Sequence, residues 1–321
     1  MSQYFVRRAL LFIPTIFLAT IMVFGLFWIV PGDAAMMILT GDEGDSGGRV
    51  TDEDLAKLRA QLGLDRHVVV QYGDWVWNLL QGDLGTSTWY RVPVLDEIKG
   101  RFFITMELAV MAIVMAFIVA VPLGVISAVK QDTGIDYASR VIALIGVAMP
   151  NFWIGILMVY ALAYFTGWLP PLGYSSLWGD PQRNLIQLFF PALALAFHDL
   201  GFTARVARSA MLEVMREDYM RTARSKGLKE WIVISRHGLK NALLPVITVS
   251  GYQFGRLLGG VIIIEAIFVV PGVGSMLIDA ILHRDFIVLQ AVVLLTAAIV
   301  LALNLVIDLM YGVLDPRIRY S

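Results

Sequence analysis

Few residues in this chain have the types and the spacing that chemistry requires. The sequence holds no cysteine, which excludes disulfides, thiolate nucleophiles and Cys-ligated metals. It also lacks the GxxxxGK(S/T) phosphate loop, the HExxH zinc motif and the GxSxG nucleophile elbow. The four histidines lie far apart on different segments: His67, His198, His237 and His283. The sequence therefore predicts no catalytic residue, no metal site and no bound cofactor.

Carboxylates inside apolar stretches would be the other source of chemistry, because paired intramembrane carboxylates relay protons in pumps. Here they are sparse, and each falls near the end of an apolar stretch: Glu107, Asp199, Glu265 and Asp308. Neither an enzyme nor a proton-driven pump is expected. If the chain forms a transport pathway, the lack of an energy source within it suggests a partner that supplies the energy.

The elements that position these residues are predicted to be membrane-spanning helices. Of 321 residues, 58% are hydrophobic and 16% are charged, whereas a soluble domain carries about 25% charged residues. The charges are excluded from long blocks, and a spanning helix needs about 20 apolar residues. We therefore predict an all-α polytopic membrane protein with six transmembrane helices, at residues 9–30, 104–129, 139–166, 186–207, 243–265 and 288–312.

The distribution of Lys and Arg predicts the orientation, because cytoplasmic segments of membrane proteins are enriched in them. With the N-terminus inside, the inner segments hold 15 Lys and Arg and the outer segments hold nine, seven of those in one loop of about 70 residues. Both termini are therefore expected in the cytoplasm. Residues 1–101 would comprise the first transmembrane helix and an extracytoplasmic region, and residues 102–316 a five-helix core with a cytoplasmic loop at 211–241.

The extracytoplasmic region between the first two spans is predicted to be helical around Asp52–Leu62. Aromatic residues follow it: Trp75, Trp77, Trp89 and Tyr90. Such amphipathic rings settle where a chain returns to the membrane surface. The alternative is a docking surface for an outer partner.

Two features mark the predicted third and fifth spans. Pro150 should kink the third span, either to shape a cavity or to fit the packing of neighbouring helices. Gly251, Gly255 and Gly259 lie four residues apart on one face of the fifth span, which allows another backbone to approach closely. That face either packs inside the bundle or lies at a subunit interface or along a pathway.

Arg256 lies in the same span, where its charge is costly unless it faces protein or water. Glu265, nine residues further along, lies on the opposite face of the helix and cannot pair with it. Arg256 therefore needs Asp199 or Asp308 as a partner, or it lines a wet pathway. A helix break follows at Pro271-Gly272-Val273-Gly274, with a short helix at 275–283, and this is predicted to be a gate or a structured turn.

The basic cytoplasmic loop is the most informative segment of the sequence. Its composition is helical on both sides of Gly227, a natural helix terminator, so two short helices joined at a bend are predicted. Its Arg and Lys side chains suit an acidic partner surface. Anionic lipid is the alternative partner.

This loop resembles the cytoplasmic EAA loop of binding-protein-dependent ABC importer permeases, in the form found in the dipeptide, oligopeptide and nickel branch. The resemblance covers nearly the whole chain and rests on short motifs in a fixed order. They are Pro31-Gly32-Asp33, Leu62-Gly63-Leu64-Asp65, Gly82-Asp83-Leu84-Gly85, Pro122-Leu123-Gly124, Pro150-Asn151-Phe152-Trp153, Trp168-Leu169-Pro170, Arg205 to Arg208, Asp218 to Leu228, Asn241 to Pro245, Glu265 to Gly274, and Arg284-Asp285.

The resemblance implies a permease subunit of a bacterial or archaeal inner membrane, with peptides or peptide-like solutes as cargo. Such a chain would form half of a pathway with a homologous second permease. It would bind two cytoplasmic ABC ATPases, which hydrolyse the ATP, and receive solute from an extracytoplasmic binding protein. A channel or secondary transporter that works alone is the alternative class. The implied ATPase-coupling residues are Asp218, Tyr219, Arg221, Thr222, Ala223, Arg224, Lys226, Gly227 and Leu228.

Overall fold

The computed structural model describes residues 2–29, 36, 51–62 and 64–314. Eleven helices have both ends within these residues. In chain order the helices are α1 Ser2–Ile29, α2 Asp52–Leu62, α3 Val68–Leu80, α4 Val94–Val129, α5 Gly134–Ala148, α6 Asn151–Thr166, α7 Pro181–Met215, α8 Asp218–Ser225, α9 Glu230–Ile267, α10 Val273–Leu282 and α11 Phe286–Leu314. The predicted all-α class is confirmed.

Several of these helices are long and apolar enough to cross a membrane. Among the described residues α4, α7, α9 and α11 pass this test singly, and α5 with α6 passes it as a bent pair. Helix α1 contributes a shorter apolar stretch, Leu10–Leu26. The chain is therefore a polytopic membrane protein, while six spans stay a prediction.

The third predicted span is wrong in form, because Pro150 breaks it instead of kinking it. Helices α5 and α6 meet at Met149 and Pro150 with a bend of 103°. A residue before proline is pushed to an extended conformation, and Met149 has φ −91° and ψ 128°. Pro150 itself has ψ 140°. Two consecutive extended residues thus turn the chain sharply.

Two other helices extend beyond the apolar blocks from which they were predicted. Helix α7 begins at Pro181, where the Asp180 side chain accepts a hydrogen bond from the Arg183 N–H at 3.0 Å. Helix α9 begins at Glu230, thirteen residues before the predicted start at 243. Polar turns extend both helices because capping and packing, not hydropathy, decide where a helix ends.

The chain divides into two compact units. The first comprises residues 1–103 and 276–305 as far as they are described, and the second comprises 104–275 and 306–314. In the first unit, α1 packs on α3 through aromatic rings. The Tyr72 ring lies 5.4 Å from Phe24 and 6.3 Å from Phe17, and its hydroxyl is 2.8 Å from that of Thr20.

The first unit also holds an irregular segment, residues 81–93, against the start of α11. The buried Asp285 carboxylate accepts hydrogen bonds from the Ser87 hydroxyl at 2.6 Å and from the Trp89 N–H at 3.2 Å. The Trp89 ring stacks on His283 with centroids 4.0 Å apart. Trp89 is thus held by contacts within the protein although 43% of it is exposed, and Trp77 is 63% exposed. The predicted helix at Asp52–Leu62 is confirmed as α2.

In the second unit, small residues let α7 approach its neighbours closely. The Gly146 position of α5 would place a Cβ 2.8 Å from the Phe197 carbonyl oxygen, and the Gly201 position of α7 contacts the Ala143 carbonyl. Similarly, Gly124 of α4 would place a Cβ 2.7 Å from that of Ala207. These contacts leave no room for a side chain, so α7 is the central helix of this unit.

Candidate functional site

The basic loop at residues 211–241 folds as a compact hairpin whose first arm is α8. One face of α8 is buried within the loop itself, where Met220 and Ala223 pack with Val233. Val214 and Met215, at the end of α7, cover this cluster. Ala223 therefore serves the internal packing of the loop instead of leaving its backbone open to a partner.

The opposite face of α8 is exposed and polar. The side chains of Asp218 and Arg221 are 96% and 80% exposed. The other predicted coupling residues on the exposed surface of the loop are Tyr219, Thr222, Lys226, Gly227 and Leu228. The eight-residue helix thus presents one charged face on a base fixed by apolar contacts, a surface suited to docking.

The bend that ends α8 lies where the sequence predicted it. Gly227 has φ +76°, a left-handed conformation that favours glycine. Arg224 donates across the bend to Glu230 in a forked pair, with Nη2–Oε1 at 2.9 Å and Nε–Oε2 at 3.2 Å. The hydrogen bond to Glu230 raises the pKa of the Arg224 guanidinium, so this pair stays charged.

The second arm of the hairpin was predicted to be a short helix, and this is wrong. It is the start of α9, which runs without interruption to Ile267 through a π-helical turn at Val233–Gly238. Gly238 packs under two methionines, where a Cβ would lie 2.6 Å from Met211 Cε and 3.2 Å from Met220 Cε. The Asn241 amide also donates to the Tyr219 hydroxyl at 2.7 Å. The exposed helix is therefore connected rigidly to a membrane-spanning one.

A buried ion pair near this hairpin was not identified from the sequence. Asp136, at the start of α5, is fully buried and accepts two hydrogen bonds at 2.8 Å from Arg208 of α7. The Ser127 hydroxyl of α4 donates to the same carboxylate at 2.5 Å, and the Asp132 N–H donates at 3.0 Å. The pair fixes the turn between α4 and α5 to α7, one turn before the basic loop begins.

The predicted gate segment forms a turn wrapped around a second buried carboxylate. Glu265 is fully buried and accepts hydrogen bonds from the Thr105 hydroxyl at 2.6 Å and the Ser275 N–H at 3.0 Å. Thr105 in turn accepts from the Val273 N–H at 2.8 Å. Gly272 and Gly274 lie directly against the Glu265 carboxylate, and Pro271 precedes them at the half-buried rim of the turn. The segment is a tightly bonded turn.

The change Gly272→Ala tests how tightly this turn is closed. Its Cβ would overlap the Glu265 carboxylate, so we expect overpacking to cost roughly 1–3 kcal/mol of stability and to lower the midpoint of thermal unfolding. The matched control is Gly100→Ala, because a Cβ added there meets no atom within 4 Å. Unfolding of both variants, purified in detergent, measures the difference. Equal midpoints would contradict this packing.

The glycine face of α9 is only partly used by packing within this chain. At Gly251 a Cβ would lie 3.3 Å from Ile307 Cγ1, whereas at Gly255 and Gly259 it would meet no atom of the described residues within 4 Å beyond its own helix. Arg256 lies between them, exposed, and donates to Gln253 Oε1 at 3.3 Å. Packing in the bundle thus accounts for Gly251 alone.

Arg256 also lines a cavity of about 310 Å³ that is shared with the break between α5 and α6. Asp199, one of its two predicted partners, lines the same cavity. The side chain of the other, Asp308, is not among those described. In the described part of the chain no group of three His, Asp or Glu side chains is placed to hold a metal ion.

Comparison with known proteins agrees with this architecture. The family described as "Binding-protein-dependent transport system inner membrane component" matches residues 120–320, and the family of the corresponding N-terminal component matches residues 1–109. The dipeptide transport system permease protein DppB of Escherichia coli strain K12 is 40% identical over 345 aligned residues, and that of Alkalihalophilus pseudofirmus is 38% identical over 340. Each alignment covers 100% of both chains.

The chain belongs to the family of binding-protein-dependent transport system inner membrane components, the permeases of ABC importers. Its full-length likeness to the two DppB proteins confirms the resemblance to the dipeptide, oligopeptide and nickel branch. The fold is shared with a chain from a crystal structure of an amino acid ABC transporter with histidines, at a TM-score of 0.51 and 16% identity. That match covers 68% of this chain and 94% of the other.

Proposed function

We propose that this chain is the permease subunit of an ABC importer for peptides or peptide-like solutes and forms one half of its translocation pathway. The support for the cargo is the full-length similarity to proteins named as dipeptide transport permeases. The proposed partners are a homologous second permease, two cytoplasmic ATPases that hydrolyse ATP, an extracytoplasmic solute-binding protein and the surrounding lipid.

The observation that carries the coupling proposal is the two-sided nature of α8. Its apolar side is packed on the end of α7 and the start of α9, and its charged side is free to contact a partner. A displacement of α8 would therefore be transmitted to α7 and α9 through these packing contacts. In this proposal, ATP binding biases one docked arrangement of residues 213–245, and the pathway follows by two-state coupling.

The half-pathway proposal is supported by the exposed face of α9. Tyr252, Arg256, Gly259 and Ile263 recur at helical spacing and are all exposed. An arginine exposed to hydrocarbon is costly, so this face requires protein or water opposite it. A second permease whose own face closes a shared channel meets that requirement.

The proposed topology keeps both termini in the cytoplasm of a bacterial or archaeal inner membrane. Residues 1–101 then provide the first transmembrane helix and the extracytoplasmic region, and residues 102–316 the core with its coupling loop at 211–241. This orientation places α8 beside the ATPases and the Glu265 turn toward the outer side. The Lys and Arg balance of the loops supports it.

Affinity purification of the chain from its native host tests this proposal. A tag on this chain is expected to recover a second permease and two ATPase subunits. The recovered complex, reconstituted with its solute-binding protein, should import dialanine only with ATP. A catalytically dead ATPase is the control that should abolish import without changing the recovered subunits.

Solute flux through the purified chain alone would instead favour a channel or secondary transporter. Recovery of the chain without any ATPase would also contradict the proposal. A complex that imports another solute but not peptides would retain the ABC assignment and overturn the cargo.

A further inference from the structure

The cavity at the break between α5 and α6 has an unusual lining for a site within spanning helices. Its volume is about 310 Å³, and residues 147–152 of the break form one wall. Helix α7 contributes Asp199 to the lining, and α9 contributes Arg256 and Gly260. Broken helices are tolerated at membrane depth where they line a cavity, and transporters place solute sites beside them.

Two polar atoms of this lining have no hydrogen-bond partner among the described residues. They are the Asp199 Oδ2 and Asn151 Oδ1 atoms, both fully buried. Asp199 as a whole is only 4% exposed. A buried carboxylate that lacks partners is costly. Its position beside a cavity leaves room for a ligand to complete its hydrogen bonding.

The opposite charge lies on another wall of the same cavity. Arg256 lines it from α9, yet no ion pair within 4.0 Å joins Arg256 to Asp199 in the described structure. The guanidinium makes one hydrogen bond, at 3.3 Å, to Gln253 Oε1. The cavity is thus lined by the Asp199 carboxylate, the Arg256 guanidinium and the Asn151 amide, and these three groups do not hydrogen-bond to one another.

We propose that this cavity binds the charged ends of a dipeptide-sized zwitterion, with Asp199 receiving the ammonium group and Arg256 the carboxylate. The inference rests on the proposed function and adds a solute site within the permease itself. Asn151 supplies the acceptor for a peptide N–H. A free peptide carries one positive and one negative end, which matches the two separated charges.

The size of the cavity limits what it holds. Small-molecule sites occupy about 300–1,000 Å³, so this one lies at the lower end of the range. It suits a dipeptide or the end of a longer peptide. If a charge-assisted hydrogen bond holds each end of the peptide, chemical blocking of either peptide terminus should weaken its binding.

The test measures peptide binding to the tagged complex, purified without its solute-binding protein, by saturation-transfer NMR. The probes are dialanine, N-acetyl-dialanine and dialanine amide. We expect Asp199→Asn to weaken dialanine at least tenfold and to leave N-acetyl-dialanine unchanged. Arg256→Gln should weaken dialanine to the same degree and leave the amide unchanged. Asp96→Asn, at an exposed carboxylate on α4, is the matched control and should change none of them.

Equal weakening of all three peptides by either variant would show a structural role and overturn the site. Unchanged dialanine binding in both variants, or no binding by the unaltered complex, would overturn it as well. Because Arg256 is exposed, its substitution keeps the test valid even where Asp199→Asn reduces the yield. ATP-driven import by the unaltered complex is measured in parallel. Absence of that import counts against the proposed function, whereas the binding results above count only against the solute site.

Discussion

Reversing the charge of Arg221 is expected to lower ATP-driven import at least tenfold while leaving the midpoint of thermal unfolding unchanged. The Arg221 side chain is 80% exposed, and its 3.7 Å contact with Asp218 is a surface ion pair that contributes little to stability. The Arg221→Glu variant therefore changes only the surface that α8 presents to a partner. When one member of a buried charge pair across an interface is altered, the binding free energy falls by roughly 2–5 kcal/mol.

Import by proteoliposomes and ATPase activity of the complex measure this effect together. The matched control is Arg183→Glu, at the opposite end of α7, where an exposed arginine is not part of the loop. Normal import by Arg221→Glu would mean that the exposed face of α8 does not dock on the ATPases. Lowered import with normal subunit recovery would locate the defect in coupling.

A bulky residue at Ala223 should fail for a different reason. Ala223 is buried against Met220 and Val233, so a larger side chain would displace the apolar base of the loop. Loss of transport there would therefore accompany loss of stability. The two positions are only two residues apart but lie on opposite faces of α8, so together they separate docking from folding.

The second large effect concerns the buried pair of Asp136 and Arg208. We expect Asp136→Leu and Arg208→Met each to cost roughly 3 kcal/mol, because each change removes the main partner of a buried charge. Arg140, whose Nε lies 3.7 Å from Asp136 Oδ1, only partly replaces Arg208. Breaking a buried ion pair usually costs about 3–5 kcal/mol. We expect the lower value here because the Arg208 side chain is 17% exposed. The double variant should cost much less than the sum of the two single changes.

Unfolding of the unaltered protein, the two single variants and the double variant in the same detergent gives a double-mutant cycle. Arg66→Met is the matched control, because the Arg66–Asp74 pair has a similar 2.8 Å distance but side chains 61% and 57% exposed. It should cost less than about 1 kcal/mol. Additive losses in the double variant would mean that Asp136 and Arg208 stabilise the protein independently.

Local sequence signals predicted the local parts of this structure. Helix α2 matches the predicted Asp52–Leu62, and the break at Gly227 follows from the ability of glycine to adopt a positive φ. Long, mainly apolar stretches located the central parts of α7 and α9. They did not locate the polar ends, since the Asp180 cap and the hairpin contacts extend these helices past the apolar residues.

Contacts between distant residues could not be predicted in the same way. Asp136 and Arg208 are 72 residues apart, and Thr105 and Glu265 are 160 apart. No local sequence signal connects the two members of either pair. The stripe from Gly251 to Gly259 predicted a close approach inside the bundle, at a subunit interface or along a pathway. Within the described chain only its Gly251 packs closely, and backbones of neighbouring helices approach at Gly124, Gly146 and Gly201 instead. The spacing of glycines identifies a helix face made of small residues, but the tertiary fold decides what that face contacts.

The break at Pro150 has a consequence for how the protein is made. Helices α5 and α6 have 15 and 16 residues, which at 1.5 Å per residue gives each a length of about 22–24 Å against a hydrocarbon core of about 30 Å. Neither crosses the bilayer alone, and lipid cannot satisfy the backbone groups freed at the turn. We therefore expect this pair to reach its final position late in biogenesis, after α7 and α9 have left the insertion machinery and can enclose it.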